Sequence, residues 1–302
     1  MESGDSGIAT SPGGTRVAAV LAAHNRRELT LACLASLRRQ RADGLVLDPF
    51  VLDDASSDGT WAAVAARFPE ATVLHGDGQR YWNGGMRLAM AAAMAGDYDY
   101  YLWVNDDTRL DDGAVALLLQ TERALARRGG GPVIVTGSTR HPDTGELTYG
   151  GVVRPSRWRR LHWELVPPAG VPVPCETMNG NAVLVPRAVV GRIGNIDARF
   201  SHAMGDYDYG LRARRAGCSV WVAPATVGTC ASHPRRRSDQ QPLTSEWRRL
   251  WSTKELSPRS WALFARRWAG GLWPLYWLSP YLRRAARLVL ERRPLRRPGG
   301  AA

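Results

Sequence analysis

Residues 51–60, VLDDASSDGT, decide how this chain folds. An apolar run ends in two carboxylates and passes into a turn of Ala, Ser, Asp and Gly. That is how a buried strand hands over to a helix at the carboxyl edge of an open α/β sheet. The pattern recurs on both sides. Val17–Ala23 (VAAVLAA) is a continuous apolar run, followed by helical spacing at Leu31, Leu34, Ala35 and Leu37. Leu45–Leu52 reads as the second strand, interrupted by Asp48-Pro49, and residues 59–68 as a helix. Thr72–His75 is a short strand, Met86–Met94 an Ala- and Met-rich helix, and Tyr100–Val104 a strand ending in NDD. Ala114–Leu125 is helical, Val133–Thr136 extended. Short links between alternating strands and helices predict an α/β fold, parallel at least in its first half. Residues 139–177, rich in Pro, Gly, Trp and Arg, read as an insertion or crossing loop. Ala182–Val185 then predicts a strand, Tyr207–Ala216 a helix closed by Gly217, and Val220–Val222 a last strand.

The charge is unevenly spread. The chain has 302 residues with 40 Lys+Arg against 28 Asp+Glu, a net +12. Residues 234–302 hold sixteen of the basic and four of the acidic residues, so the rest is neutral. Six of the 12 tryptophans lie beyond Ser245. Basic and Trp-rich together favour an anionic membrane surface over nucleic acid. Two tail helices are expected, over 259–272 and 281–291. Trp261, Phe264, Trp268 and Leu272 share one face of the first, with Arg259, Arg266 and Arg267 pointing away. Such faces either lie on a membrane or pack on the body, and they are too short to span one. Three parts are therefore expected: a lead at 1–15, a main domain at 16–233 and a basic, Trp-rich helical extension at 234–302. Four cysteines without CxxC spacing exclude a disulfide scaffold, and residues 1–15 contain no apolar leader. The expected location is cytoplasmic, peripheral on the inner face of the membrane.

The chemistry collects at strand ends. Asp53 and Asp54 close the second strand; Asp106 and Asp107 close the one before Thr108. Ser56, Ser57 and Asp58 are better placed to cap the helix at 59, and Asp111 and Asp112 the helix at 113. Both Asp pairs are thus left to face one ligand crevice. Two carboxylates beside an anionic ligand require a divalent cation, Mn²⁺ or Mg²⁺.

VLAAHNRRE (20–28), VLDDASSDGT (51–60), NDD (105–107) and GDYDYGLRARRAG (205–217), in that order, resemble the family-2 glycosyltransferases of the GT-A fold. The resemblance covers about 16–230. It implies an inverting, metal-dependent transfer from a nucleoside-diphosphate-sugar, UDP- or dTDP-linked, to a hydroxyl of a glycan or lipid-linked acceptor. Bacterial members of surface-polysaccharide assembly, some similar to rhamnosyltransferases, share its phrasing most. By that resemblance Ala22, His24, Asn25, Arg26, Asp53 and Asp54 hold the base and ribose of the donor. Asp107 binds the metal, and Asp106 contacts ribose or supports the metal. Asn105 stands where many members have Asp. YWNGGMRLA (81–89) matches a Gly-rich segment, with Gly84 and Gly85 letting backbone approach the donor at a helix start. Asp206 is the candidate general base, with Gly205 replacing a Glu common in the family. Asp208 contacts acceptor hydroxyls or holds local structure. Asn179 and Gly180 in MNGN (178–181) match the acceptor wall. Trp82, Trp158 and Trp163 are stacking platforms for sugar or ordinary core. His233 matches a metal-binding His loosely, since the family spacing points nearer Thr229 or Cys230.

Two rivals compete with this reading. A dinucleotide enzyme needs Gly-x-Gly-x-x-Gly after the first strand, where AAHNRRE stands. A non-catalytic membrane- or nucleic-acid-binding protein would act through the Arg/Trp-rich tail alone.

Overall fold

The computed structural model describes residues 14–231 and 257–291. The first half alternates β1 (Thr15–Ala23), α1 (Arg27–Arg38), β2 (Leu45–Asp53), α2 (Thr60–Arg67), β3 (Thr72–His75), α3 (Tyr81–Met94), β4 (Tyr100–Val104), β5 (Arg109–Leu110) and α4 (Ala114–Ala126). The second half runs β6 (Val133–Arg140), β7 (Leu147–Tyr149), β8 (Gly151–Val153), β9 (Glu164–Leu165), β10 (Val173–Cys175), β11 (Thr177–Met178), β12 (Ala182–Pro186), α5 (Arg187–Ile193), α6 (Gly205–Arg215) and β13 (Ser219–Thr229). After the undescribed 232–256 come α7 (Pro258–Trp268), a 3₁₀ turn (Gly270–Leu272) and α8 (Trp273–Glu291).

The main sheet is ordered β10-β13-β6-β12-β4-β1-β2-β3. β3, β2, β1 and β4 are parallel neighbours, as the alternating pattern requires. β12 breaks the direction by pairing antiparallel with both β4 and β6. Side chains of β1 alternate between two layers: Val17, Ala19 and Leu21 pack with α1 and α4, Ala18 and Val20 with α3. A strand covered on both faces must read as an unbroken apolar run, which VAAVLAA does.

Pro49 does not end β2. It pairs in register with Ala19, while β3 first pairs at Phe50, so the missing N–H falls where one side has no partner strand. Residues 139–177 contain strand where a loop was expected: β6 extends to Arg140, β7 folds back on it, and β8, β9 and β11 make a second small sheet. The last strand is 11 residues long rather than three, because two register irregularities around Thr226 break its alternation. Asp111 and Asp112 do not cap α4. Asp111 pairs with Arg140, Asp112 with Arg39, and Gly113 at φ 79° starts the helix.

The extension docks on the body. Trp261, Phe264 and Trp268 of α7 bury with Phe200 and Leu211, whereas Leu272 on the expected stripe stays exposed. Arg267 does not point away: it bonds Asp208 at 2.8 Å and Asp197 at 2.6 Å. α8 continues through Pro280, because Ser279 Oγ donates to the Tyr276 carbonyl that the proline cannot reach. No helix among the described residues is long and apolar enough to cross a membrane.

Candidate active site

The carboxyl ends of β1, β2 and β4 open on one side of the sheet, where α3 and α6 begin. The expected donor residues gather there. After β1, His24 Nδ1 lies 2.7 Å from the Asp54 carbonyl, and Asn25 takes a φ of 52°. Asn25 Oδ1 accepts the Ser57 amide at 2.7 Å, and its own amide donates to Ser56 Oγ at 2.9 Å. The two loops are thus zipped together before any ligand arrives. Asp58 behaves as expected, accepting the Thr60 amide at 3.0 Å.

Asp53 and Asp54 have different tasks. Asp54 is buried, and its carboxylate accepts the amides of Gly78, Arg80 and Tyr81 at 2.8, 2.9 and 3.0 Å. It therefore holds the start of α3, a structural duty the sequence reading did not assign it. The amides of Arg80 and Tyr81 at the start of α3 are thereby already taken. Asp53 is also buried and accepts the Ser56 amide through Oδ2, but its Oδ1 has no partner. A buried carboxylate oxygen without a donor is a place for a ligand N–H or O–H.

Gly84 and Gly85 lie inside α3, not in a loop ahead of it. A Cβ on Gly85 would stand 2.7 Å from Ala22 Cβ and 2.8 Å from Leu52 Cδ2. Its smallness lets α3 press against β1 and β2. The expected backbone approach to the donor at Gly85 is corrected accordingly, and Ala22 is half-buried under the same contact.

Asp106 and Asp107 follow β4 and share one cation. Arg26 Nη1 reaches Asp106 Oδ1 at 3.1 Å and Asp107 Oδ2 at 2.9 Å. Burial raises the Asp106 carboxyl to about 6, against the pull of Arg26, while the neighbouring Asp107 pushes it further up. The far oxygen of Asp107 accepts from the Cys230 thiol at 3.3 Å. Burial, then the Asp107 charge, lifts that thiol to about 12. Cys230 was one of two positions to which the family spacing pointed; His233 lies outside the described residues. Among the described residues no three His, Cys, Asp or Glu side chains are arranged to hold a metal ion by themselves. Mn²⁺ or Mg²⁺ held by one or two carboxylates and a ligand's phosphates needs no such cage. The hard oxygens of Asp106 and Asp107 fit that mode.

Asn105 bonds the ring of Trp82, whose Nε1 donates to Asn105 Oδ1 at 2.7 Å. The half-buried indole packs edge-on against Trp103, centroids 6.5 Å apart. A Cβ on Gly180 would collide with the same indole. Gly180 in turn donates its amide to Asp206 Oδ2 at 3.0 Å. Tyr207 donates its amide to Asp206 Oδ1 at 2.9 Å. Burial raises the Asp206 carboxyl to about 6, and these backbone donors hold it from going higher.

Gly205 explains its departure from the family pattern. A Cβ there would land on Asn83 Oδ1, so no side chain fits. Asn83 is wholly buried and donates to the carbonyls of Asp197 and Phe200. Asn179 donates to Tyr207 Oη at 3.3 Å, beside the candidate base. Asp208 is wholly buried, bonded by Arg212, Arg267 and Trp268 Nε1. Of its two expected roles, local structure is the one this environment serves. His202, which the sequence reading missed, lies with its ring 6.2 Å from Tyr81. No short motif contains it. Trp163 packs edge-on against Tyr207 at 5.5 Å, while Trp158 is 75% exposed and away from these residues.

Residues 18–158 match the family model described as glycosyl transferase family 2. The chain is 30% identical over 220 residues to the N-acetylglucosaminyl-diphospho-decaprenol L-rhamnosyltransferase of Mycobacterium tuberculosis, in strains CDC 1551 and H37Rv. That match covers 64% of this chain and 69% of the relative. Among solved structures, the mannosyltransferase PcManGT from Pyrobaculum calidifontis, in complex with GDP-Man and Mn²⁺, superposes with a TM-score of 0.52 at 16% identity. GalNAc-T7 with UDP, GalNAc and Mn²⁺ gives 0.58 at 12% identity. These cover 84% and 80% of this chain, and the chain spans 65% and 48% of theirs. At such identities the likeness is one of fold.

Proposed function

Since the chain belongs to glycosyl transferase family 2, with a GT-A fold, it is a glycosyltransferase, and we propose that it moves a sugar from a UDP- or dTDP-sugar to a lipid-linked glycan acceptor with inversion. Membership in this family sets aside a non-catalytic protein acting through the Arg/Trp-rich tail alone. The relative's rhamnosyl transfer to a polyprenyl-diphospho-GlcNAc makes dTDP-rhamnose and a GlcNAc-diphospho-lipid the first pair to test.

One observation carries the reading. The candidate base Asp206 and the pair Asp106–Asp107 are tied across the cleft by a continuous chain: Asp206, the Gly180 amide, the Trp82 ring and Asn105. This linkage supports a reading in which the base and the phosphate-side carboxylates act together, since group transfer needs positioned partners.

Asp107, with Asp106 beside it, would hold Mn²⁺ or Mg²⁺. When bound, the cation offsets charge on the departing diphosphate. Arg26 bonds both carboxylates and offsets one of their two charges, and its guanidinium would also suit a phosphate oxygen. Asp53 Oδ1 offers an acceptor to a base N–H or ribose hydroxyl, and His24 and Asn25 shape the wall around it. On the acceptor side, Asp206 takes the proton of the attacking hydroxyl. Its two oxygens are oriented by the Gly180 and Tyr207 amides, each leaving a lone pair for that proton. Attack from the face opposite the leaving diphosphate inverts the anomeric centre. Asn179 and Gly180 line the acceptor wall. The enzyme works peripherally at the inner membrane face, where a lipid-linked acceptor is presented.

The test is transfer from dTDP-rhamnose to a polyprenyl-diphospho-GlcNAc, with the product's anomeric configuration read by NMR. Inverted product from the wild type, and none from Asp206→Asn, supports the proposal. Retained configuration, or full turnover by Asp206→Asn, overturns it.

A further inference from the structure

Among the described residues, the docked extension has one exposed apolar face. On the 3₁₀ turn and α8, Leu272, Leu275, Leu278 and Leu282 are 63%, 64%, 40% and 57% exposed. Leu275, Leu278 and Leu282 repeat at helical spacing, so they form one stripe. The opposite side of α8 is engaged: Trp277 and Tyr281 pack with α7, and Trp277 Nε1 donates to the Pro258 carbonyl. These leucines are thus the apolar side of α8 that no other described residue buries.

A second segment, more than 100 residues away in sequence, is bonded to the same extension. Tyr276 Oη donates to the carbonyl of Trp158, and Arg160 Nη1 reaches the Ala269 carbonyl. Trp158 is the most exposed large apolar residue among those described, with Arg157 over its ring at 5.2 Å. Arg157, Arg159 and Arg160 are exposed, as is Arg283 on α8. Neither 154–163 nor 257–290 contains an Asp or Glu.

We infer that Trp158 and the stripe Leu272/Leu275/Leu278/Leu282 form one bilayer-contact surface, whose occupant is an anionic lipid interface. Charge selects that occupant. Leucines enter the acyl boundary, an indole sits at headgroup level, and arginines on segments that themselves carry no carboxylate are complementary to anionic headgroups. The same loop also links this surface to the acceptor side. The loop carrying Trp158 continues to Trp163, which packs on Tyr207, the neighbour of Asp206. A protein resting on this face would offer the acceptor side of its cleft to lipid-linked substrate. That purpose rests on the proposed lipid-linked acceptor; the lipid contact itself does not.

The test is co-sedimentation of the full chain with vesicles of phosphatidylcholine, alone or with about 30% phosphatidylglycerol. Nucleotide-induced stabilisation is measured in the same preparations. The wild type is expected to bind the anionic vesicles and to lose binding as salt rises. Leu275→Ser/Leu282→Ser and, separately, Trp158→Ser should each weaken binding at least about tenfold, with thermal stability and nucleotide response kept. Trp158 is so exposed that its loss leaves folding intact. Wild-type binding absent, or equal in both variants, overturns the inference even where nucleotide still binds. A wild type without nucleotide response but with vesicle binding intact overturns the proposed donor instead. A concentration-dependent dimer that Leu275→Ser/Leu282→Ser dissociates, with no vesicle binding, assigns the face to a second copy and also overturns it.

Discussion

Trp82 Nε1 donates to Asn105 Oδ1 at 2.7 Å, so the first turn of α3 is fastened to the loop bearing Asp106 and Asp107. Asn105 is thereby a structural acceptor where the family often has a third carboxylate. Trp82→Phe removes the donor together with the outer ring carbons that lie against Gly180. It should cost about 1–1.5 kcal/mol, read as a Tm lower by a few degrees. Transfer should fall more than stability implies, because the carboxylate loop loses its tether. The check is thermal denaturation beside a transfer assay.

As the proposed base, Asp206 should set an acidic limit on transfer. Burial raises its carboxyl to about 6, so lowering the pH through 6 protonates the base and rate falls with a slope of one proton. The stability effect has the opposite sign. A carboxyl raised in the folded state binds its proton more tightly there, so its contribution is greatest at low pH and is lost as pH rises through about 6. Asp206→Asn should keep nucleotide binding and lose about 10²–10⁴-fold in kcat. A pH–rate profile for wild type against the variant reads both.

Gly205 and Asn83 compete for the same space. Gly205→Ala drives a methyl into Asn83 Oδ1 and should destabilise the protein by about 1–3 kcal/mol. Adding Asn83→Ala to it should cost less than the two single changes together, since the smaller residue vacates the site. Denaturant midpoints of the two single variants and the double variant give the coupling. Simple additivity would count against the packing account.

The salt-bridged anchor of α7 is a stability element. Arg267→Met leaves the wholly buried Asp208 with Arg212 and Trp268 alone, and should cost about 3–5 kcal/mol. Asp197 shares that anchor. Burial raises its carboxyl, but Arg199 and Arg267 outweigh this and hold it well below the usual range. Its contribution is therefore present above the usual carboxylate pKa and disappears as pH falls through the lower folded value. A chain truncated before Pro258 should expose Phe200 and Leu211 and aggregate on expression.

The parallel half of the fold was readable because its strands are buried on both faces. VAAVLAA and VLDD show their class without knowledge of their neighbours. β8, β9 and β11 were hidden, being two or three residues long and set among Pro, Gly and Arg. The candidate site residues were found as motifs, but their division of labour was not. Nothing in VLDD separates Asp54, which ties down α3, from Asp53, whose Oδ1 stays open. Likewise GG at 84–85 reads as a phosphate loop until Ala22 and Leu52 are seen against Gly85. Arg267 could not be matched with Asp208 from sequence, because their contact spans 59 positions.

The central claim is that Asp107 and the nucleotide meet through a divalent cation in this cleft. The most direct measurement is the Tm of the full chain with UDP, dTDP or GDP, each with and without Mn²⁺ or Mg²⁺, for the wild type and Asp107→Ala. A ligand bound only by the folded state stabilises it by about 2.7 kcal/mol at a hundredfold excess over Kd. The account predicts a rise of several degrees with UDP or dTDP that requires the metal and is lost in Asp107→Ala. A metal-independent rise, or an Asp107→Ala variant that responds like the wild type, would contradict it.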